Sequence, residues 1–164
     1  MTIGIFYGST TGNTEAAAAE IARCLGVADA DVHNVGTSSA DEVDAYDCLV
    51  LGSSTWGAGD VQDDWWDFLN QLTAKNLSGK QVALFGCGDS ASYPDTFCGA
   101  LAQLHDALEP TGCTFVGLMD AGSYAGLEAD VCRGGQLLGL VIDDSAPAAQ
   151  HEADIAAWCG SLPR

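Results

Sequence analysis

"TIGIFYGSTTGNTEAAAAEIARCLG" (residues 2–26) passes from an apolar run, through a loop of small hydroxyl residues, into an alanine-rich segment. The opening run "TIGIFYG" (2–8) is short, apolar and closed by glycine, as a buried strand is. "TEAAAAEIARCLG" (14–26) predicts a helix stopped at Gly26. The linking "STTGNT" (9–14) holds hydroxyls, a glycine and an amide but no Lys or Arg. Such a loop at a helix N-terminus can gather backbone N–H groups and hydroxyls around a phosphate, with the helix dipole assisting. Gly12 permits a tight turn there. A nucleotide triphosphatase loop would end in Gly-Lys-Ser/Thr, and a dinucleotide loop would read Gly-x-Gly-x-x-Gly; neither pattern is present. Neutral donors alone suit a terminal phosphate monoester.

Working outward, strand-like and helix-like runs alternate. "DVHNV" (31–35) is a polar strand and so belongs at a sheet edge. "SADEVDAY" (39–46) is a short helix opened by Ser39, and "CLVLGSST" (48–55) is a buried strand. "DDWWDFLNQL" (63–72) is a helix with acids in its first turn, as the dipole prefers. In it Trp65 and Trp66 diverge by about 100°, so no more than one can be fully buried. "QVALFGCGD" (81–89) is a strand, "FCGALAQLHDALEPTG" (97–112) a helix, "TFVGLMDA" (114–121) a strand and "HEADIAAWCGSL" (151–162) the last helix. The run "QLLGLVIDD" (136–144) reads as the return of the fifth strand after an excursion at 122–135, long enough to have a role of its own. This alternation predicts one α/β domain over 1–164, with a parallel sheet covered by helices on both faces. The apolar first, third and fourth strands agree, since such strands are buried on both sides.

The 164 residues are 48% hydrophobic with 20 glycines, which suits a globular domain with a real core. The 23 acidic residues against 5 basic ones give a net charge of −18. That excludes nucleic acid and anionic membranes as natural partners and favours basic protein surfaces. Seven cysteines form no Cys-x-x-Cys pair, so the spacing of zinc and thioredoxin-like sites is missing. No metal site is expected. The start "MTIGIFYGS" lacks a basic region before an apolar run, and no segment of about 18 apolar residues occurs. The expectation is a cytoplasmic monomer with free, mostly buried thiols.

In open parallel sheets ligands bind outside the carboxyl ends of the strands, where strand order reverses. The loops leaving strands one, three and four are "STTGNT", "STWGAGDVQD" and "GDSASYPDT". The second and third each set an aromatic residue, Trp56 or Tyr93, among small ones, and two aromatics at one crevice can sandwich a flat ring.

"GSTTGNTE", "GSSTWG" and "FGCGDSASYPDTFCGAL" together resemble the flavodoxin family, in order and spacing over nearly the whole chain, and the excursion is similar to that of its long-chain members. The resemblance implies a flavodoxin-like five-stranded sheet of order 2-1-3-4-5 and noncovalent FMN. It places Ser9, Thr10, Thr11, Gly12, Asn13 and Thr14 around the 5′-phosphate, with Ser54 and Thr55 approaching the ribityl and phosphate region. Trp56 and Tyr93 would cover the inner and outer ring faces, and Gly88 and Asp89 would meet the pyrimidine edge. Gly57, at the peptide facing flavin N5, replaces the bulkier residue of many relatives and can adopt positive φ cheaply. The implied function is low-potential one-electron transfer, not catalysis, so no catalytic residue is expected. Partners would be redox proteins with basic docking surfaces: a reductase, a pyruvate-type oxidoreductase or the iron protein of nitrogenase.

The missing positive charges fit that role. Each carboxylate about 12 Å from the ring, at an effective dielectric of 20–80, opposes the reduced anion by roughly 0.3–1.4 kcal/mol. That corresponds to about 15–60 mV for one electron. The rival enzyme, an FMN-dependent NAD(P)H:quinone reductase, needs an open flavin face, which Tyr93 would cover. A phospho-receiver domain would need acids where Ser9 and Ser54 stand. A hydrolase elbow at "GSSTW" lacks its last glycine, and His33, His105 and His151 fall in places unlike a triad base.

Overall fold

The computed structural model describes residues 2–8, 12–56, 60–124 and 129–162. The strands are β1 (Ile3–Gly8), β2 (Val32–Asn34), β3 (Cys48–Trp56), β4 (Asp60–Val61), β5 (Gln81–Gly88), β6 (Thr114–Val116), β7 (Met119–Asp120), β8 (Cys132–Arg133), β9 (Gln136–Leu137) and β10 (Leu140–Asp143). The α-helices are α1 (Asn13–Leu25), α2 (Trp65–Thr73), α3 (Gly99–Leu108) and α4 (Ala148–Ser161). Residues Ala40–Ala45 form a 3₁₀ helix that Ser39 and Glu42 cap reciprocally, where the sequence predicts a short helix.

β2, β1, β3 and β5 lie side by side in parallel, and both β6 and β10 pair in parallel with β5. Counted by position, the order is the expected 2-1-3-4-5, with the fifth position shared by two short strands. Polar β2 is at the edge, as its composition requires. Side chains alternate between two cores. Phe6, Leu49, Leu51, Val82 and Leu84 pack on the α2/α3 side. Ile5, Val50, Ala83 and Phe85 pack on the α1/α4 side with Ile21 and Trp158. Both faces are apolar, which is why these strands read as continuous hydrophobic runs.

The split differs in extent from the sequence expectation. β6 ends at Val116 and β10 starts at Leu140, so the excursion covers 117–139. Met119–Asp120 and Gln136–Leu137 leave the main sheet for a three-stranded antiparallel sheet of order β7-β9-β8. Gly117 ends β6 because its backbone turns left-handed, at φ 74°, and a side chain there would run into Trp158 and Leu162. Its carbonyl also accepts the Trp158 indole N–H at 2.7 Å. In α2, Trp65 is fully buried, with its N–H on the Gly52 carbonyl at 2.8 Å, while Trp66 is 42% exposed.

Candidate cofactor site at the carboxyl ends of the strands

β1 stands between β2 and β3, so chain direction across the sheet reverses there and a crevice opens above Gly8, Trp56 and Gly88. α1 begins at this crevice. Its N-cap, Gly12, is left-handed at φ 92°, and the first intrahelical bond runs from Ala16 N–H to the Gly12 carbonyl at 2.9 Å. The amides of Asn13, Thr14 and Glu15 therefore have no intrahelical acceptor. Asn13 is exposed. Thr14 is fully buried, and its hydroxyl has no hydrogen-bond partner among the described residues. The Cys87 thiol beside it is a weak partner at best. A buried hydroxyl left in this state, at the positive end of a helix, fits an absent anionic acceptor group. Ser9, Thr10, Thr11 and Gly57 lie outside the described residues, as does the side chain of Trp56.

Beside this point a cavity of about 310 Å³ is lined by Thr55, Gly88, Asp89, Tyr93, Thr96, Phe97 and Cys98. Its size is at the lower end of ordinary ligand sites. The fold thus brings Thr55, near the end of β3, together with Gly88 at the end of β5 and Asp89 and Tyr93 in the loop after it. Thr55 has a second task, because its hydroxyl accepts the Ala100 N–H at 3.3 Å in the first turn of α3. Gly88 is closely surrounded: a Cβ there would press on the Cys98 backbone N and Sγ and the Phe97 ring, each at 3.1 Å. The Asp89 carboxylate accepts the Ala91 and Ser92 amides at 3.0 Å each, and its carbonyl accepts the Tyr93 amide at 2.9 Å. This turn lifts Tyr93, which is 65% exposed, above the cavity. Ser54 is half-buried at the end of β3.

Sequence reasoning assigned no role to Thr96, Phe97 or Cys98, although they lie within a quoted motif. Cys98 is fully buried in a left-handed conformation at φ 49° as the N-cap of α3. Burial pushes its thiol well above the ordinary range, and burial likewise raises Cys87 to about 12, which disfavours the reactive thiolate at both. Asp143 was also missed. It ends β10 opposite Gly88 and is buried beneath the Ser90 and Ser145 turns. Burial pushes its carboxyl up, but hydrogen bonds from Ser90 and Ser145 outweigh this and hold it at about 2. Its position at the carboxyl end of a parallel strand was the available signal.

The histidines serve elsewhere. His33 stacks on Phe6 and meets the Tyr46 hydroxyl at 2.8 Å. His105 stacks on Phe115, and His151 Nε2 donates to the Asp143 carbonyl at 2.6 Å. The Ser53 hydroxyl is spent on the Ser54 carbonyl and the Gln62 amide. A serine hydrolase arrangement is therefore absent among the described residues. Each described Lys and Arg is also engaged within the chain: Arg23 with Glu20, Lys75 with Asp41 and Asp44, Lys80 with the Tyr46 carbonyl, and Arg133 with Asp106.

Comparison with known proteins agrees with this geometry. The family model described as Flavodoxin matches residues 5–158. The flavodoxin of Klebsiella pneumoniae is 41% identical over 157 residues, covering 95% of this chain and 89% of that protein. Flavodoxin 1 of Escherichia coli K12 is 44% identical over 142 residues, covering 86% and 81%. Among solved structures, a mutant of Fusobacterium nucleatum flavodoxin bound to flavin mononucleotide superposes with a TM-score of 0.89 at 28% identity, covering 98% of this chain and 94% of that one.

Proposed function

The chain belongs to the flavodoxin family, and on that premise we propose that it carries electrons on one noncovalently bound FMN, with the phosphate at 9–14 and the ring over the 310 Å³ cavity. The observation that carries this reading is the pairing of two unfinished features at one crevice. One is the buried Thr14 hydroxyl at the α1 N-terminus, which has no partner stronger than the Cys87 thiol among the described residues; the other is the cavity under an exposed tyrosine. Each is costly in an empty protein, and FMN completes both.

Bound FMN supplies one-electron chemistry; the residues of the chain bind it, cover it and set its electrostatic surroundings. Ser9, Thr10, Thr11, Gly12, Asn13 and Thr14 enclose the phosphate with neutral donors. Ser54 and Thr55 flank the ribityl chain, and Trp56 and Tyr93 cover the ring. Gly88, Asp89 and the Gly57 peptide border its polar edge. Among the described residues no free cation is available to favour added negative charge, while Asp89 lines the cavity and Asp143 lies beneath the loop that covers it. That arrangement lowers the potential at which electrons are delivered.

Partners are redox proteins, and the −18 charge selects those with basic docking faces, such as a reductase, a pyruvate-type oxidoreductase or a nitrogenase iron protein. None of the seven cysteines is in a disulfide, which suits a reducing cytoplasm. No helix among the described residues is long and apolar enough to cross a membrane. The carrier works as a monomeric single domain. Titration of the apoprotein tests the assignment: FMN should bind far tighter than riboflavin or FAD. Equal affinity for riboflavin overturns the phosphate site, and oxidation of NAD(P)H by the loaded protein alone overturns the carrier role in favour of a reductase.

A further inference from the structure

We propose that Asp143 and Tyr124 are positioning residues for the ring end of the site, through which the 117–139 excursion holds the loop that carries Tyr93. The inference rests on the flavin reading above and gives the excursion a role within it.

Asp143 is almost fully buried at the end of β10. Its Oδ1 accepts the Ser90 amide at 3.1 Å, the Ser145 amide at 3.0 Å and the Ser145 hydroxyl at 2.7 Å. Its Oδ2 accepts the Ser90 hydroxyl and the Tyr124 hydroxyl, the latter at 3.0 Å. Burying a carboxylate is costly unless its lone pairs are occupied. The loop therefore cannot lift Ser90 away without stranding a charge. Ser90 lies inside the turn built on Asp89, so fixing Ser90 fixes the base from which Tyr93 projects.

Tyr124 reaches the same region by a second route. Its ring stacks on Phe97 with centroids 5.0 Å apart and planes 24° from parallel, and Phe97 lines the cavity. One residue of the excursion thus supports both the cavity wall and the anchor of its covering loop. Tyr124 comes from the 3₁₀ turn Gly122–Tyr124, which is held by its own amide on the Ala121 carbonyl at 2.9 Å. The turn places Tyr124 between the excursion and the site, where its position is passed on to both Phe97 and Asp143.

The test uses Tyr124→Phe, which keeps the ring on Phe97 and deletes only the hydroxyl. FMN and riboflavin affinities should fall by the same factor, about three- to tenfold, which is what part of a buried hydrogen bond to a charge is worth. The visible circular dichroism of bound flavin should change, because the Tyr93 face is repositioned. In a Tyr93→Ala background the same substitution should cost less than about twofold, because coupled residues are not additive. Ser90→Ala, which removes another donor to Asp143, should behave as Tyr124→Phe does. Unchanged flavin affinities, or an equal loss with and without Tyr93, overturn the proposal in favour of a purely structural strut. A wild-type protein that binds no flavin overturns the function reading and this inference together. A wild-type protein that binds FMN beside an indifferent Tyr124→Phe overturns this inference alone.

Discussion

Thr14→Val should make the empty protein more stable and the loaded protein less so. The hydroxyl is buried without a hydrogen-bond partner among the described residues, and such a group costs about 1–3 kcal/mol. Valine has the same shape, so no cavity and no overpacking follow. Taking the low end, since the Cys87 thiol offers a weak contact, the apoprotein gains about 1 kcal/mol. Unfolding entropy of about 2.1 cal/mol/K per residue over the 164 residues gives about 0.3 kcal/mol/K, so Tm should rise by about 3 °C. On binding, the variant lacks a hydrogen bond to an anion worth about 1.5–3 kcal/mol, so FMN should bind about ten- to a hundredfold more weakly.

The two effects cross over in a single thermal assay. FMN at a hundred times the wild-type Kd adds about 2.7 kcal/mol to the wild type. With Kd weakened about thirtyfold, the same concentration adds only about 0.9 kcal/mol to the variant. Even with its gain of about 1 kcal/mol, the loaded variant then falls below the loaded wild type by almost 1 kcal/mol. Riboflavin, which has no phosphate, should bind both proteins alike. Destabilised apoprotein would mean that the hydroxyl is satisfied without ligand, and an equal loss of riboflavin would place Thr14 away from the phosphate; either result refutes the reasoning.

Electron transfer to a basic partner should slow as ionic strength rises, because the described Lys and Arg side chains are engaged internally and leave the acidic field unopposed; a stopped-flow rate indifferent to salt would assign the acidity to solubility alone. Gly52→Ala should cost about 1–3 kcal/mol in urea unfolding, since its Cβ would stand 2.0 Å from Phe85 Cζ, and Phe85→Leu in the same chain should recover part of the loss. Asp143, held at about 2 against an ordinary 3.8, has a depressed folded value, so its stabilisation is complete above about pH 4 and lost as pH falls toward 2. That contribution is about 2 kcal/mol, and Asp143→Asn should flatten the loss of apoprotein stability between pH 4 and 2; an unchanged acid slope would remove Asp143 from the linkage.

The parallel order and the edge position of β2 were legible because burial on both faces leaves a direct compositional trace: β1, β3 and β5 are apolar and β2 is not. Helix ends were legible where the chain carries its own stop, as at Gly26, which caps α1 in a left-handed conformation. The excursion was harder to bound. "TFVGLMDA" and "QLLGLVIDD" look like unbroken strands, and only the left-handed Gly117 and the crowding of Gly139 against the Leu84 carbonyl show where each leaves the main sheet. Thr14 could be assigned from its motif, but its unpartnered state depends on packing against the Cys87 side of the sheet. Asp143 was marked only by its place at the carboxyl end of a strand, because its five donors come from three segments and no local pattern announces them.

That contrast has an energetic consequence. In the proposed reading the phosphate end is one contiguous stretch of sequence, 9–14, that leads into α1. The ring end is assembled from Thr55, residues 88–98 and Asp143, with Tyr124 behind them. Groups that share no partners contribute nearly additively, whereas groups in one network do not. Substitutions at the phosphate end should therefore change the ratio of FMN to riboflavin affinity and leave the ring's surroundings alone. Substitutions at the ring end should leave that ratio fixed, lower both affinities together and depend on one another. On the proposed reading, then, the local part of the site should set which flavin is chosen, and the part that only the fold assembles should set how the ring is held.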